Sequence, residues 1–281
     1  MVLSLITPPP PALPPARQSR GRTRQRSAFE AECEQRTIDF FLVIPAYRES
    51  ERLPAFLREL LAELPTADFR CQVLVVDDGS GPLEQGRLAH LTTKLAESEE
   101  LLPALFLEKN LGKGGAIRAG WEHAQDAKWV CFVDADGAIL PNEIRRLLEI
   151  AAQPNEEAAI FGSRIKMLGK KVERTFLRHC MGRVFALLVG LLITPQIYDS
   201  QCGIKIIPGA AYRKVKGRLR ENGFGFDVEL LAALLDEGIP IREVPIDWKD
   251  QAGSKVSIVR DTIRLYAGLQ RIRRRRRAWM S

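Results

Sequence analysis

From residue 39 to residue 162, short apolar runs alternate with segments of helical period, and this alternation constrains the fold more than any other feature. Residues 39–45 (Asp-Phe-Phe-Leu-Val-Ile-Pro) read as a buried strand, and residues 51–63 as an amphipathic helix. Strands are then expected over 71–77, 104–107, 129–134 and 158–162, separated by helices over 83–96, 114–125 and 141–151. Strands alternating with helices predict an α/β fold with a mostly parallel sheet covered on both faces.

The second half is less regular. Residues 171–193 read as one helix, with Arg174, Arg178 and Arg183 beside an apolar body. A strand is expected over 203–207, a helix over 226–237 and an alternating strand over 241–246. Val256, Val259, Ile263, Tyr266 and Leu269 recur at three and four, an apolar stripe on a last helix that runs into six Arg within residues 271–277. The domains expected are a disordered Pro/Arg-rich tail over 1–37, a catalytic body over 38–255 and an amphipathic helix with a polybasic end over 256–281. A targeting segment is the other reading of residues 1–28.

Charge and cysteine usage exclude several function classes. The net charge is +7, but residues 1–28 hold five Arg and no acid, and 271–277 hold six more Arg, so the body between them is mildly acidic. Arg-rich ends do bind nucleic acid in other chains. Here no continuous basic groove is expected and no stacking-aromatic motif accompanies the arginines, so nucleic acid is not an expected partner. The five cysteines (33, 71, 131, 180, 202) contain no CxxC spacing, which indicates neither a zinc site nor a disulfide framework and fits a reducing, cytosolic location. The longest apolar run, 184–193, has ten residues. A bilayer span needs ~20.

Acidic residues gather at the strand ends. Asp77 and Asp78 close the second strand, and Asp134 and Asp136 close the fourth. Ligands of open α/β sheets sit outside the carboxyl ends of the strands, so the two pairs are expected to meet in one cleft. Carboxylates one residue apart suit a hard cation, Mg2+ or Mn2+, held together with substrate phosphates. An acidic loop capping the helix at 141 is the other reading of Asp134-Ala-Asp136, and a simple turn that of Asp77-Asp78-Gly-Ser80. Asn110-Leu-Gly-Lys-Gly-Gly115 enters a helix with free amides and a cation, a combination suited to an anion. It is not a Walker A loop.

Taken together these motifs resemble a known family. Pro45-Ala-Tyr-Arg-Glu49, Val75-Val-Asp-Asp-Gly-Ser80, Asn110-Leu-Gly-Lys-Gly114 and Val133-Asp-Ala-Asp136 stand in the order of the family 2 glycosyltransferases of GT-A fold. Gly162-Ser-Arg164, Asp199-Ser-Gln-Cys-Gly-Ile-Lys205, Gly225-Phe-Asp-Val-Glu229, Glu243-Val-Pro-Ile-Asp-Trp248 and Gly253-Ser-Lys255 are similar to the dolichyl- and polyprenyl-phosphate sugar synthases, most closely the dolichyl-phosphate β-glucosyltransferase branch. The resemblance spans residues 39–269.

It implies an inverting transfer from a nucleotide diphosphate sugar. Tyr47, Glu49 and Asp78 would line the nucleoside end of the donor site, with Pro45, Asp77 and Gln201 in the same substrate-binding set. Asp134 would face the ribose, Asp136 would ligate the metal together with Asp134, and Lys113 would lie nearby. Gly137-Ala138 lacks the polar residue often found after this motif, so the pattern does not assure a third protein ligand. The membrane helices of many family members have no counterpart in the sequence.

An acceptor phosphate is already anionic at neutral pH. It needs holding more than deprotonation, and Arg164, Arg174 and Arg178 are the expected guanidinium partners. A solvated helix face is the other reading of Arg174 and Arg178. Asp199 is the expected second-half carboxylate at the donor sugar or acceptor, and the base were the acceptor a hydroxyl. UDP-glucose is expected over GDP-mannose as donor. The last helix and its six Arg are expected to hold the protein peripherally on an anionic membrane surface, at the cytoplasmic face.

Overall fold

The computed structural model describes residues 38–95, 98, 100–165, 172–173, 185–249 and 258–280, with the backbone alone at 172–173, 258–265 and 280. The described residues open with β1 (Phe40–Ala46), α1 (Leu53–Glu63), β2 (Cys71–Asp77), α2 (Pro82–Lys94) and β3 (Leu105–Phe106). It continues with α3 (Lys113–Trp121), β4 (Trp129–Val133), α4 (Pro141–Ala151) and β5 (Ala159–Ser163). Seven strands form one sheet in the order β3-β2-β1-β4-β7-β5-β8, where β7 is Ile204–Pro208 and β8 is Ile241–Pro245.

β1 lies between β2 and β4, both parallel to it, and its residues are buried on both faces. Side chains of a strand alternate between faces. Phe40, Leu42 and Ile44 therefore join Leu57 and Leu60 of α1 and Leu147 and Leu148 of α4 in one core layer. Phe41 and Val43 pack on the other face with Ile117 and Trp121 of α3 and with Phe226 and Leu230 of α7 (Phe226–Asp236). Because β1, β2 and β4 run the same way, residues 46–49, 77–80 and 134–136 leave the sheet along one edge.

The sheet is mostly parallel as expected, and one expectation about the second half changes. β7 runs antiparallel to both β4 and β5, so the sheet is mixed on that side. The helix expected from residue 171 does not start there: Val172–Glu173 (β6) pairs in parallel with Trp248–Lys249 (β9). The β-branched Val172 fits an extended backbone, and the neighbouring strand supplies hydrogen bonds that a helical period does not anticipate. Residues 185–192 (α5) are helical. α6 is Gly209–Val215.

The last helix, α8 (Ile258–Met280), runs through the arginine series. Leu269 and Ile272 are buried against Val228 and Ala232 of α7 and Phe185 and Val189 of α5. Burial of side chains of this size stabilises by about 1.5–3 kcal/mol each. The helical period then divides the arginines. Arg271, Arg275 and Arg276 pair with Glu221, Glu229 and Asp236 of the body. Arg273, Arg274 and Arg277 lie on the opposite side of the helix with no ion pair among the described residues, and Arg274 and Arg277 are exposed. On α5, Leu187 and Leu191, one turn apart, are 62% and 72% exposed. Among the described residues no helix is long and apolar enough to cross a membrane.

Candidate active site

The first wall of the site is the end of β2 and the start of α3. Asp77 turns toward α2: its Oδ2 accepts from the Ser80 N–H and from Gln85 Nε2, each at 3.0 Å. Asp78 instead caps the glycine loop. Its Oδ1 accepts the Leu111 N–H at 2.7 Å and its Oδ2 the Gly112 N–H at 2.8 Å. Burial pushes the Asp78 carboxyl up, and these two amides oppose that push. Gly112 holds a φ of 85°, and a Cβ there would lie 2.6 Å from the Asn222 carbonyl oxygen, so both its conformation and its space demand glycine. Tyr47 and Arg48 follow β1, with the Arg48 guanidinium 5.1 Å from the Tyr47 ring centroid and the Arg48 backbone N–H donating to Ser80 Oγ. Glu49 receives Arg52 at two points, 2.7 and 2.5 Å. Pro45, next to last in β1, is in register with Val76 of β2.

The second wall is Asp134-Ala-Asp136, at the end of β4. Lys113 Nζ is 2.8 Å from Asp134 Oδ1 and 3.5 Å from Asp227 Oδ2. Behind it Lys205, fully buried, stands 3.0 Å from Asp227 Oδ1. The chain of charges thus alternates Asp134, Lys113, Asp227, Lys205. Burial would lower the Lys113 ammonium, but the charges of Asp134 and Asp227 prevail and raise it. Asp136 accepts the Ala138 N–H at 3.0 Å, and burial, followed by the like charge of Asp134, pushes its carboxyl up. A Cβ on Gly203 would sit 2.5 Å from Asp134 Oδ2, so glycine clears the space beside that carboxylate. Two hard-oxygen groups that repel each other at a strand end are a donor set that a divalent cation would satisfy. Among the described residues no group of three or more His, Cys, Asp or Glu is arranged as a metal site.

Across the sheet edge stand Arg164 and Asp199. Arg164 donates from Nε and Nη2 to the two carboxylate oxygens of Asp199, both at 2.7 Å, and from its backbone N–H at 3.0 Å. The guanidinium lies 5.7 Å from the Trp248 ring centroid. Burial works against the Asp199 carboxylate, yet the charge and hydrogen bonds of Arg164 hold it well below the usual range. Glu243 fixes the backbone here, accepting the N–H groups of Tyr198 and Asp199 and the Ser163 hydroxyl. Gln201 donates to the Phe224 carbonyl at 3.2 Å. Arg174, Arg178 and Gly253-Ser-Lys255 lie outside the described residues. His90 and His123 are exposed.

The Lys205–Asp227 pairing and the contacts of the loop 219–225 go beyond what the motifs predict. A lysine inside Ile204-Lys-Ile-Ile207 and two acids inside Gly225-Phe-Asp-Val-Glu-Leu230 are charges set in apolar surroundings, and such charges require partners.

Comparison with known proteins shows the family and the fold. Residues 41–215 match the model of glycosyl transferase family 2. A dolichyl-phosphate beta-glucosyltransferase of Trichomonas vaginalis is 34% identical over 229 residues, covering 77% of this chain and 67% of that protein. The enzymes of the same name from Saccharomyces cerevisiae and Homo sapiens are 31% and 32% identical, covering 83% and 78% of this chain and 73% and 70% of their own. Among solved structures, glucosyl-3-phosphoglycerate synthase from Mycobacterium tuberculosis, in complex with Mn2+, UDP and phosphoglyceric acid, aligns with a TM-score of 0.63 at 15% identity, covering 89% and 81% of the two chains. Mannosyl-3-phosphoglycerate synthase from Rubrobacter xylanophilus aligns with a TM-score of 0.60 at 14% identity, covering 90% and 76%.

Proposed function

The chain belongs to glycosyl transferase family 2 and is a glycosyltransferase of GT-A fold, and from that membership we propose that it transfers glucose from UDP-glucose to dolichyl or another polyprenyl phosphate with inversion. The observation that carries this reading is the meeting, on one sheet edge, of Asp134, Asp136, Lys113 and the α3 N-terminus with the Arg164–Asp199 pair opposite. The names of the relatives support the acceptor and the sugar.

Each residue then has a task. The amides and the positive end of α3, with Lys113, suit the negative charge of a nucleotide diphosphate. Asp136, with Asp134, would hold Mg2+ or Mn2+. That ion would supply Lewis-acid neutralisation of the departing diphosphate. The acceptor phosphate oxygen attacks the anomeric carbon from the face opposite the leaving group. The bond from that carbon to the diphosphate oxygen breaks, and its electron pair leaves with the nucleoside diphosphate. A phosphate nucleophile gives up no proton in this step. The site agrees with that chemistry: a carboxylate locked to Arg164 and held ionised is a poor base. A hydroxyl acceptor would need a base, a role that the two-point ion pair with Arg164 opposes at Asp199.

With a lipid acceptor, the reading is peripheral attachment at a membrane surface, on the cytoplasmic face. Buried, unpaired thiols at Cys71, Cys131 and Cys202 are consistent with a reducing side. Arg273, Arg274 and Arg277 supply the anionic-lipid contact and Leu187 and Leu191 the apolar one. Three arginines near an anionic surface contribute about 3 kcal/mol, half the sum for six.

The test is nucleoside diphosphate release from a sugar nucleotide by the full chain. Release that requires both a polyprenyl phosphate and Mn2+ is the expected result. Equal release with a polyprenol in place of the phosphate contradicts the acceptor.

A further inference from the structure

Residues 219–225, between α6 and α7, form a strap joined to the site on one side and to α8 on the other. On the site side, the Gly115 N–H donates to the Asn222 carbonyl at 3.1 Å. Arg118 of α3 donates to the Leu219 carbonyl at 2.6 Å and to the Asn222 side-chain oxygen. The contact is close: a Cβ on Gly112 would lie 2.6 Å from Asn222 O, and one on Gly114 would lie 2.6 Å from Glu221 O. Gln201 holds the strap at the Phe224 carbonyl.

On the far side the strap is held by charge. Arg271 donates through Nε and Nη2 to the two oxygens of Glu221, at 3.0 and 2.7 Å. Arg275 Nη2 bridges Glu221 and Glu229, at 2.6 and 2.7 Å. Glu229 in turn accepts the backbone N–H groups of Arg220 and Glu221 at 2.7 and 2.6 Å. Glu221 and Glu229 are 5% and 1% exposed, so without the arginines two like charges would face each other out of water.

We propose that Glu221 is a positioning residue for the donor site: Arg271 and Arg275 of α8 press the strap, through Glu221, against the N-terminus of α3 and so hold Gly112–Gly115 and Lys113 in place for a nucleotide diphosphate. Two of the six arginines are thereby part of the active-site framework. The geometric coupling stands on the contacts above, and its consequence for the donor rests on the reading of the α3 end as the donor site.

Hydrogen–deuterium exchange tests the coupling without a ligand. Three full-length variants serve: Arg271→Gln with Arg275→Gln, Glu221→Gln, and the milder Arg271→Gln alone, which leaves Arg275 on both acids and keeps the test open if the others unfold. Exchange of residues 110–121 is expected to rise about tenfold in the double variant, while β1 and β2 keep wild-type protection. Faster exchange confined to 219–225, with 110–121 unchanged in every variant that folds, would overturn the proposal. Calorimetric titration with UDP or GDP, each with Mn2+, reads the consequence: Kd is expected to rise about tenfold. In turnover, KM for the donor is expected to rise about as much, with kcat within about threefold of wild type. Unchanged Kd and KM alongside faster exchange at 110–121 would overturn the positioning role. A wild type that binds neither nucleotide would overturn the donor-site reading instead, while the exchange result still decides the coupling.

Discussion

Arg164 and Asp199 face each other as a two-point ion pair, guanidinium edge to carboxylate edge, with both oxygens engaged at 2.7 Å. Removing one partner of such a buried pair leaves the other charged and unsatisfied. Asp199→Asn is expected to destabilise the fold by about 3–5 kcal/mol at neutral pH. The sign with pH follows from the depressed carboxyl. Its stabilisation is complete above the unfolded pKa of about 4 and is lost as pH falls toward the folded value. Urea unfolding should therefore show a gap between wild type and variant at pH 7 that narrows in acid. A gap that widens in acid would refute the assignment.

The acidic motif makes a separate prediction. Asp136→Ala is expected to lower transfer by at least about a hundredfold, the scale of losing a charge-stabilising group. Mn2+ binding measured by calorimetry should weaken in parallel, with the melting temperature near that of wild type. EDTA should silence the wild type, and Mn2+ or Mg2+ should restore it. Full activity in Asp136→Ala would remove the metal from the account.

The proposed membrane attachment rests on one side of α8. Changing Arg273, Arg274 and Arg277 to Gln is expected to cost about 3 kcal/mol of binding to anionic vesicles, roughly a hundredfold. Co-sedimentation of the wild type should weaken with salt, since the attraction is screened over a Debye length of ~10 Å at 0.1 M. Truncation after Gln270 would not isolate this side of the helix, because it also removes Arg275 and Arg276 from their partners in the body. Undiminished vesicle binding by the triple variant would move the anchor elsewhere.

Base preference is a fourth expectation. UDP should bind more tightly than GDP in calorimetric titration with Mn2+. Tighter binding of GDP would point to a guanosine donor.

Much of this arrangement was legible in the residues. β2 spans Cys71–Asp77 and α4 spans Pro141–Ala151, the bounds expected from apolar runs and helical period. Burial on both faces makes a parallel strand a continuous apolar run, so its end, and the acids beyond it, stand out. The direction of β7 did not, because a strand's period carries no sign of which way its neighbours run. Arg271 to Arg277 look alike in one dimension, and only the helix turn and the placement of Glu221, Glu229 and Asp236 divide them. The strap 219–225 is a short polar connection without periodicity, and its importance lies in contacts with residues about a hundred positions away, such as Arg118. Lys205 and Asp227 were visible as charges among apolar neighbours, but their pairing depends on tertiary structure.

The central claim is transfer of glucose to a lipid phosphate, and one assay addresses it most directly. The purified full chain is incubated with Mn2+, dolichyl phosphate and, separately, radiolabelled UDP-glucose and GDP-mannose, and the label is counted in the organic phase. The account predicts organic-phase label from UDP-glucose that requires dolichyl phosphate and disappears in Asp136→Ala. Label from GDP-mannose alone, or none from either donor with lipid phosphate while a hydroxyl acceptor is glycosylated, would contradict it.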